Sequence, residues 1–392
     1  MIILHTGFDG LDIAFKCKPS LELVELLERA KAKATETQID TPVMFNGVFM
    51  NVAASGGVGG YAFRFDTGPE GAVWFVKKPK ASDPWGVRVS CKSRPLALRG
   101  LEFVRADLDD TRARLGMNVP ADGVSIGRVD YAIDILHPEF VLDPKNFVVS
   151  ARTKIATHAD LSDQQTGGRS GRFTSVTVGK MPGRQVIVYD KREEVMNKGK
   201  LEWPFIWNAA LAKINLPALD MTDPSKSRVW RVELRLGKKA LKEKGGIRGW
   251  SSFYESLQPQ MLELVEKAVN LKRPKADTNR HRWNADPVWT VVRDLVEDGM
   301  FSETIEIDEE ALHEAELREK QLQFLGLAAS HLVTLSVLEG MSKEDFSEFL
   351  DSAPARIEHF LEMHKRGLGD RMRDAADKYR DLLKAPSLTA SS

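Results

Sequence analysis

Arg128-Val129-Asp130-Tyr131-Ala132-Ile133-Asp134 alternates charge with apolar bulk, and a period of two marks a strand with one face on a core and the other turned to something polar. Arg128, Asp130, Ala132 and Asp134 fall on one face. Val129, Tyr131, Ile133 and Ile135 fall on the other and read as a core face. Two later runs have the same character: Val186-Ile187-Val188-Tyr189-Asp190-Lys191 and Val229-Trp230-Arg231-Val232-Glu233-Leu234-Arg235. In each, charge stands where packing does not need it.

Leu11-Asp12-Ile13-Ala14-Phe15 shares its Asp and Ala positions with Val129-Asp130-Tyr131-Ala132-Ile133, and this echo suggests a duplicated strand-helix-strand-strand unit. In the first copy, Pro19-Ser20 caps an amphipathic helix from Leu21. Strands follow near Met50–Ala53, Tyr61–Phe65, Ala72–Lys77 and Gly86–Lys92, and Leu101–Leu115 is helical. The second copy has a helix near Pro144–Thr153 and strands at Thr174–Gly179, Gln185–Lys191 and Val229–Leu236. The glycine run Ser55–Gly60 lacks a strand-turn-helix setting and a Lys-Ser/Thr end, so it reads as a hairpin turn and not as a phosphate cradle. Beyond Trp250 the pattern is helical: Leu257–Leu271, Pro287–Glu297, Glu309–Leu338 and Lys343–Leu383, the last broken at Ser352-Ala353-Pro354 and at Gly367-Leu368-Gly369. The tail 386–392 is small and polar. Short turns between successive strands favour an antiparallel sheet with helices on one face. The expected class is α+β, with residues 1–297 as one domain and an all-helical region at 298–392.

A chain of 392 residues, 42% hydrophobic and 29% charged, belongs with soluble globular proteins. No run approaches the roughly 20 apolar residues that span a bilayer, and the N-terminus does not read as a signal peptide. A cytoplasmic protein with no membrane partner is therefore expected. Cys17 and Cys91 read as buried thiols. The formal net charge is zero, but the distribution is uneven. Cations crowd Lys226 to Arg248 and carboxylates crowd Glu303 to Glu319, which points to a basic middle that suits a polyanion.

Arg231, Glu233 and Arg235 share one strand face, and so do Ile187, Tyr189 and Lys191. On neighbouring strands, one acid from each of two strands would sit beside the Tyr189 phenol. Such oxygens suit a hard cation, Mg²⁺ or Mn²⁺. Asp130 and Asp134 lie about 13 Å apart on a straight strand, too far to grip one ion unless it bends. The chemistry that fits is attack of a tyrosine hydroxyl on phosphorus, with arginines holding flanking phosphates. Of five tyrosines, Tyr131 alternates onto the apolar face and Tyr379 is distal, leaving Tyr189 as the candidate nucleophile, with Lys191 and Arg231 as its cationic helpers.

The order of these segments resembles the replication initiation factor (Rep-trans) family of rolling-circle plasmid and phage initiators and related relaxases. The family pattern is an Arg-x-Asp-x-Ala-x-Asp strand, an apolar-Tyr-Asp/Asn-Lys strand and a Trp-Arg-x-Glu strand. It is matched here by Arg128-Asp130-Ala132-Asp134, Tyr189-Asp190-Lys191 and Trp230-Arg231-Glu233 over roughly residues 10–297. The resemblance implies that Tyr189 nicks DNA and that Asp130, Asp134 and Glu233 bind the metal. One departure is Ser90, where some initiators carry a glutamate. No His-hydrophobic-His motif is present.

The expected function is a rolling-circle initiator that cuts and rejoins one strand at an origin through a phosphotyrosine. Its expected partners are origin DNA, double-stranded and as a single-stranded hairpin, a host helicase and a second copy in a homodimer. The alternatives are a conjugative relaxase, a non-catalytic DNA-binding regulator on the same scaffold, and an assembly protein dimerised through its long helices.

Overall fold

The computed structural model describes residues 1–80, 82–149, 155–159, 172–301, 306–363 and 366–383. The chain divides into two compact units, residues 1–307 and 308–392. Met300 is 3% exposed, and Phe301 lies 5.8 Å from the Phe8 ring, so the stretch just after 297 packs with the first unit.

In the first unit the described strands are β1 (Ile2–Phe15), β2 (Thr41–Phe45), β3 (Val48–Val52), β4 (Phe63–Asp66), β5 (Ala72–Val76), β6 (Val87–Cys91), β7 (Val124–Leu136), β8 (Phe147–Val149), β9 (Ile155–Ala159), β10 (Phe173–Gly179), β11 (Arg184–Asp190), β12 (Val229–Gly237) and β13 (Val269–Leu271). Eleven of them form one sheet in the order β2-β3-β4-β5-β6-β1-β7-β12-β11-β10-β9, and β8 pairs with β13 apart from it. Every described pairing is antiparallel. The protein is α+β. The two longest strands, β1 and β7, run side by side at the centre. Each is flanked by the last strand of its own half, with earlier strands further out, so the strand order repeats. The helices do not repeat with it: α1 (Leu21–Thr37) follows β1, and α2 (Ser93–Arg114) follows β6. In the second half, α3 (Lys191–Lys198) and α4 (Glu202–Lys213) stand between β11 and β12.

Alternation sets the two faces of the sheet. Val129, Tyr131, Ile133 and Ile135 of β7 join Trp230, Val232, Leu234 and Leu236 of β12 and Leu11, Ile13 and Phe15 of β1 in one apolar core. Helix α1 covers it with Leu23, Val24 and Leu27, and begins where the Ser20 hydroxyl accepts from the Leu23 amide at 3.2 Å. Helices α5 (Trp250–Glu263) and α6 (Pro287–Asp298) contribute Phe253, Leu257, Val288, Trp289 and Val292. The opposite face carries the charged residues. The Ser55–Gly60 run is a hairpin turn, as expected, with the Gly57 amide donating to Tyr61 O at 2.9 Å. Cys17 and Cys91 are buried free thiols, and burial pushes the Cys17 thiol up to about 11.

Several expectations fail for identifiable reasons. The helix expected at Pro144–Thr153 is only a turn at Pro144–Asn146, followed by strand β8; residues 150–153 lie outside the described residues. The helix expected at Leu257–Leu271 ends at Glu263, passes through one widened turn and becomes β13. These two errors are partners, because Val269↔Val149 and Leu271↔Phe147 pair with each other. A ladder between segments 120 residues apart overrides local helical spacing. Strand β2 and helices α3 and α4 carry no periodic signal that the sequence reading used.

In the second unit α7 (Glu309–Leu338) is as expected, while α8 (Phe346–Met363) runs through Pro354 instead of breaking there, and α9 (Leu368–Lys378) is capped by Gly367 and takes Gly369 into its first turn. Helix α7 also overturns the expectation of no long apolar run. It holds an 18-residue stretch of mean hydropathy 1.4, 6% of it buried, and is long and apolar enough to cross a membrane. Interspersed Gln, Ser, His and Thr disguise the stretch, though Ser330 and Thr334 satisfy their hydroxyls on Gly326 O and Ser330 O within the helix. The tail 386–392 lies outside the described residues.

Glycine is required where β12 ends. A β-carbon at Gly237 would stand 2.5 Å from Pro182 O and 2.7 Å from the Met181 methyl. We expect Gly237→Ala to lower stability by about 1–3 kcal/mol in urea denaturation, since the backbone of the 181–183 turn has to move. A midpoint equal to wild type would mean that the turn yields freely.

Candidate nucleic-acid site on the charged face

The strand register fixes which side chains meet. Tyr189 of β11 stands opposite Arg231 of β12, Arg231 opposite Asp134 of β7, and Asp134 opposite His5 of β1. One step along, Glu233 faces Ala132 and Ile187, and Arg235 faces Asp130 and Gln185. The three charged strands read from the sequence are therefore neighbours.

Arg231 is fully buried. Its Nε and Nη2 donate to the two Asp134 oxygens at 2.6 and 2.8 Å, its Nη1 donates to Asp9 at 2.6 Å, and its guanidinium lies 3.8 Å from the Trp203 ring centroid. Trp207 Nε1 donates to Asp134 Oδ2 at 2.9 Å. Burial alone would push the Asp134 carboxyl up, but the Arg231 charge and hydrogen bonds hold it below its ordinary range. His5, buried beside it, is lowered to about 4, mainly by burial, and its Nε2 has no hydrogen-bond partner among the described residues. The pairing found is thus Asp134 and Asp9 with Arg231, while Asp130 takes Arg128, whose Nε donates at 2.9 Å.

Lys191 was expected to continue the Tyr189 strand. It instead opens helix α3, because Asp190 accepts from the Glu193 amide at 3.0 Å and caps that helix. The helix nevertheless returns Lys191 to the site. Its Nζ lies 4.6 Å from the Trp203 ring and 5.8 Å from the Tyr189 ring, and donates to Glu194 at 2.6 Å. Burial, then the Arg231 charge, lowers Lys191 to about 8. Tyr189 is half-buried; burial raises its phenol well above the ordinary value, against the pull of Arg231. Among the described residues its hydroxyl has no hydrogen-bond partner.

Glu233 is 2% exposed and accepts from Arg235 Nε at 2.7 Å. Burial, followed by the charge of Asp9, pushes its carboxyl up to about 7. Asp130 is likewise raised, with burial outweighing Arg128. Asp9, Asp130, Glu233, Arg128 and Arg235 line a cavity of about 180 Å³, together with Asp12 and Ser90.

Asp9 was missed from the sequence. The register slips between Phe8 and Gly10, so Asp9 sits in a bulge that turns it onto the charged face. The signal was there in Gly7-Phe8-Asp9-Gly10, an acid between glycines inside a strand. Gly10 is needed because a β-carbon there would stand 2.8 Å from an Asp130 oxygen. Trp203, Trp207 and Glu194, on helices that the sequence reading did not place, were missed too.

Of the residues expected to hold Mg²⁺ or Mn²⁺, Asp130 and Glu233 line one cavity with Asp9, and Asp134 is not in its lining. Asp134 is taken up by Arg231 and Trp207, Glu233 by Arg235, and Asp130 by Arg128. Among the described residues no three His, Cys, Asp or Glu side chains are grouped to hold a metal ion. As arranged, the acids orient guanidinium groups.

The Glu233 shift has a testable sign. Between about pH 4.5, its unfolded value, and about pH 7, the folded chain keeps a proton that the unfolded chain has released. Stability from this group therefore falls as pH rises through that window. Glu233→Gln should remove the effect, so that its urea midpoint gains on wild type from about pH 5 to about pH 7.5; a pH-independent difference would mean that the carboxyl titrates normally.

No protein-family model matches the chain, and no curated protein matches it in sequence. Among solved structures, the rolling circle replication initiator protein from Geobacillus stearothermophilus is similar with a TM-score of 0.39 and 15% identity, over 76% of this chain and 98% of that one.

Proposed function

We propose that the protein cuts and rejoins one DNA strand through Tyr189, as an initiator of rolling-circle replication. The observation that carries this reading is the register Tyr189↔Arg231↔Asp134. It sets a half-buried phenol on a charged face beside a guanidinium held by two carboxylates, with Lys191 at its ring. In the step, Tyr189 Oη bonds to phosphorus, the P–O3′ bond breaks, and the departing 3′ oxygen takes a proton from water to become a hydroxyl. The phosphotyrosine keeps the bond energy for the reverse attack that rejoins the strand. Because burial keeps the phenol protonated, the step needs a base, and Glu233, pushed up to about 7, can take that proton near neutral pH. Arg231 and Lys191 offset the charge that develops on the phosphate oxygens. A conjugative relaxase would use the same step at a transfer origin.

A second reading, a DNA-binding regulator without catalysis, is favoured by the full engagement of Asp130, Asp134 and Glu233 by arginines. One gel separates the two. Labelled single-stranded oligonucleotides tiling the genetic element that carries the gene are incubated with the full chain in MgCl₂, in MnCl₂ or in EDTA, then denatured. A covalent protein-oligonucleotide band supports nicking, and its survival in EDTA would mean that the arginine-centred site works without a metal. No band in any lane, with salt-sensitive DNA binding retained, would leave the regulator.

A further inference from the structure

The end of the sheet remote from Tyr189 holds a second charged feature, which the nicking step does not use. Where β12 stops, the segment Lys238–Arg248 contributes Lys238, Lys239, Lys242, Lys244 and Arg248 against one carboxylate, Glu243. The turn after β10 brings Lys180 to the same end: the Gly237 amide donates to Gly183 O at 2.8 Å and the Lys239 amide to Pro182 O at 3.0 Å. Lys180, Lys238, Lys239, Lys244 and Arg248 are exposed, and among the described residues none of them is in an ion pair. On the charged face nearer Tyr189 the cations have acids: Arg128, Arg172, Lys191, Arg231 and Arg235 are all paired. Glu263, which lies near Lys244, is taken up by Arg184 at 3.0 Å. The Lys242 ammonium, which donates to the Ser125 hydroxyl, is lowered by burial and then by the charges of Lys238 and Arg248, so these cations feel one another. Unpaired like charges held together disfavour folding unless a polyanion joins them.

We infer that this basic end of the sheet, the Lys180–Gly183 turn with Lys238–Arg248, is a docking surface for the phosphate backbone of duplex DNA. The inference rests on the nicking reading for its register. Lys238 lies seven residues along from Arg231, the partner of Tyr189, which is roughly 23 Å on a strand. Duplex phosphates repeat about every 3.4 Å along one strand. The surface therefore grips the duplex about seven base pairs from the scissile phosphate, with Arg235 between the two.

The test uses the full chain and a fluorescein-labelled 20-base-pair duplex of arbitrary sequence, followed by anisotropy from 50 to 200 mM KCl. Lys238→Gln/Lys239→Gln/Lys244→Gln should weaken binding about tenfold or more at 100 mM and make log K against log salt shallower by about two to three. Unchanged affinity and slope would overturn the assignment. So would polyglutamate of matched charge binding wild type as tightly as the duplex does, with the variant weakening both equally, because the surface would then be one for polyanions in general. A thermal melt checks that the variant folds, and Lys239→Gln/Lys244→Gln, with an expected slope change of about one to two, replaces it if it does not. If no covalent adduct ever forms but the lysine variant still loses slope, the nicking reading falls and the docking surface stands.

Discussion

Tyr189→Phe is expected to lower the covalent protein-oligonucleotide adduct to less than roughly one-thousandth of wild type, since deleting a covalent nucleophile removes the step itself and not a share of its rate. The fold should not notice. The phenol oxygen has no hydrogen-bond partner among the described residues, so its removal leaves no buried donor or acceptor stranded, and urea stability should change by less than about 1 kcal/mol. Adduct formation and stability are therefore read on the same preparation. An adduct at wild-type level in Tyr189→Phe would move the nucleophile elsewhere, though not to Tyr131, which is fully buried in the core with its hydroxyl 3.4 Å from Gly299 O.

Arg231→Met is expected to cost roughly 3–5 kcal/mol in urea denaturation, the largest stability loss of any single change at the site. Arg231 and Asp134 are both fully buried, and the guanidinium is the counter-charge for Asp134 and for Asp9. Removing it strands a carboxylate whose remaining hydrogen-bond donor among the described residues is Trp207 Nε1. The cost comes from the ion left behind more than from the bond lost, which a double variant tests. Arg231→Met/Asp134→Leu should recover most of the loss, because a buried pair replaced by apolar groups of similar volume is often close to neutral. A single-variant loss below about 1 kcal/mol would show that water reaches Asp134. The adduct should be absent from both variants, so folding and function part company in the double variant.

Particular residues show how far the sequence could be read. Strict alternation placed Arg128, Asp130 and Asp134 on one face and Val129, Tyr131 and Ile133 on the other, and the ladder between β7 and β12 keeps that arrangement. The shared Asp and Ala of Leu11–Phe15 and Val129–Ile133 pointed to a repeat, and the strand order does repeat, whereas the helices differ between the halves. Lys191 does lie near the Tyr189 ring, but by way of another element than the strand expected, because apolar periodicity runs on through Tyr189 while the Asp190 cap ends the strand. Asp9 was lost because a bulge breaks the period on which the reading depended.

What the chain determined by itself was its central charged strands, the faces of those strands and the position of its charge, since alternation, caps and breakers act over a few neighbouring residues. Which charges meet was decided only when the strands paired. Arg231 took Asp134 and Asp9, while Asp130 paired with Arg128 and Glu233 with Arg235. Electrostatic partnership in a dry interior depends on ångströms between residues up to 222 positions apart, and no local pattern in the sequence carries that distance.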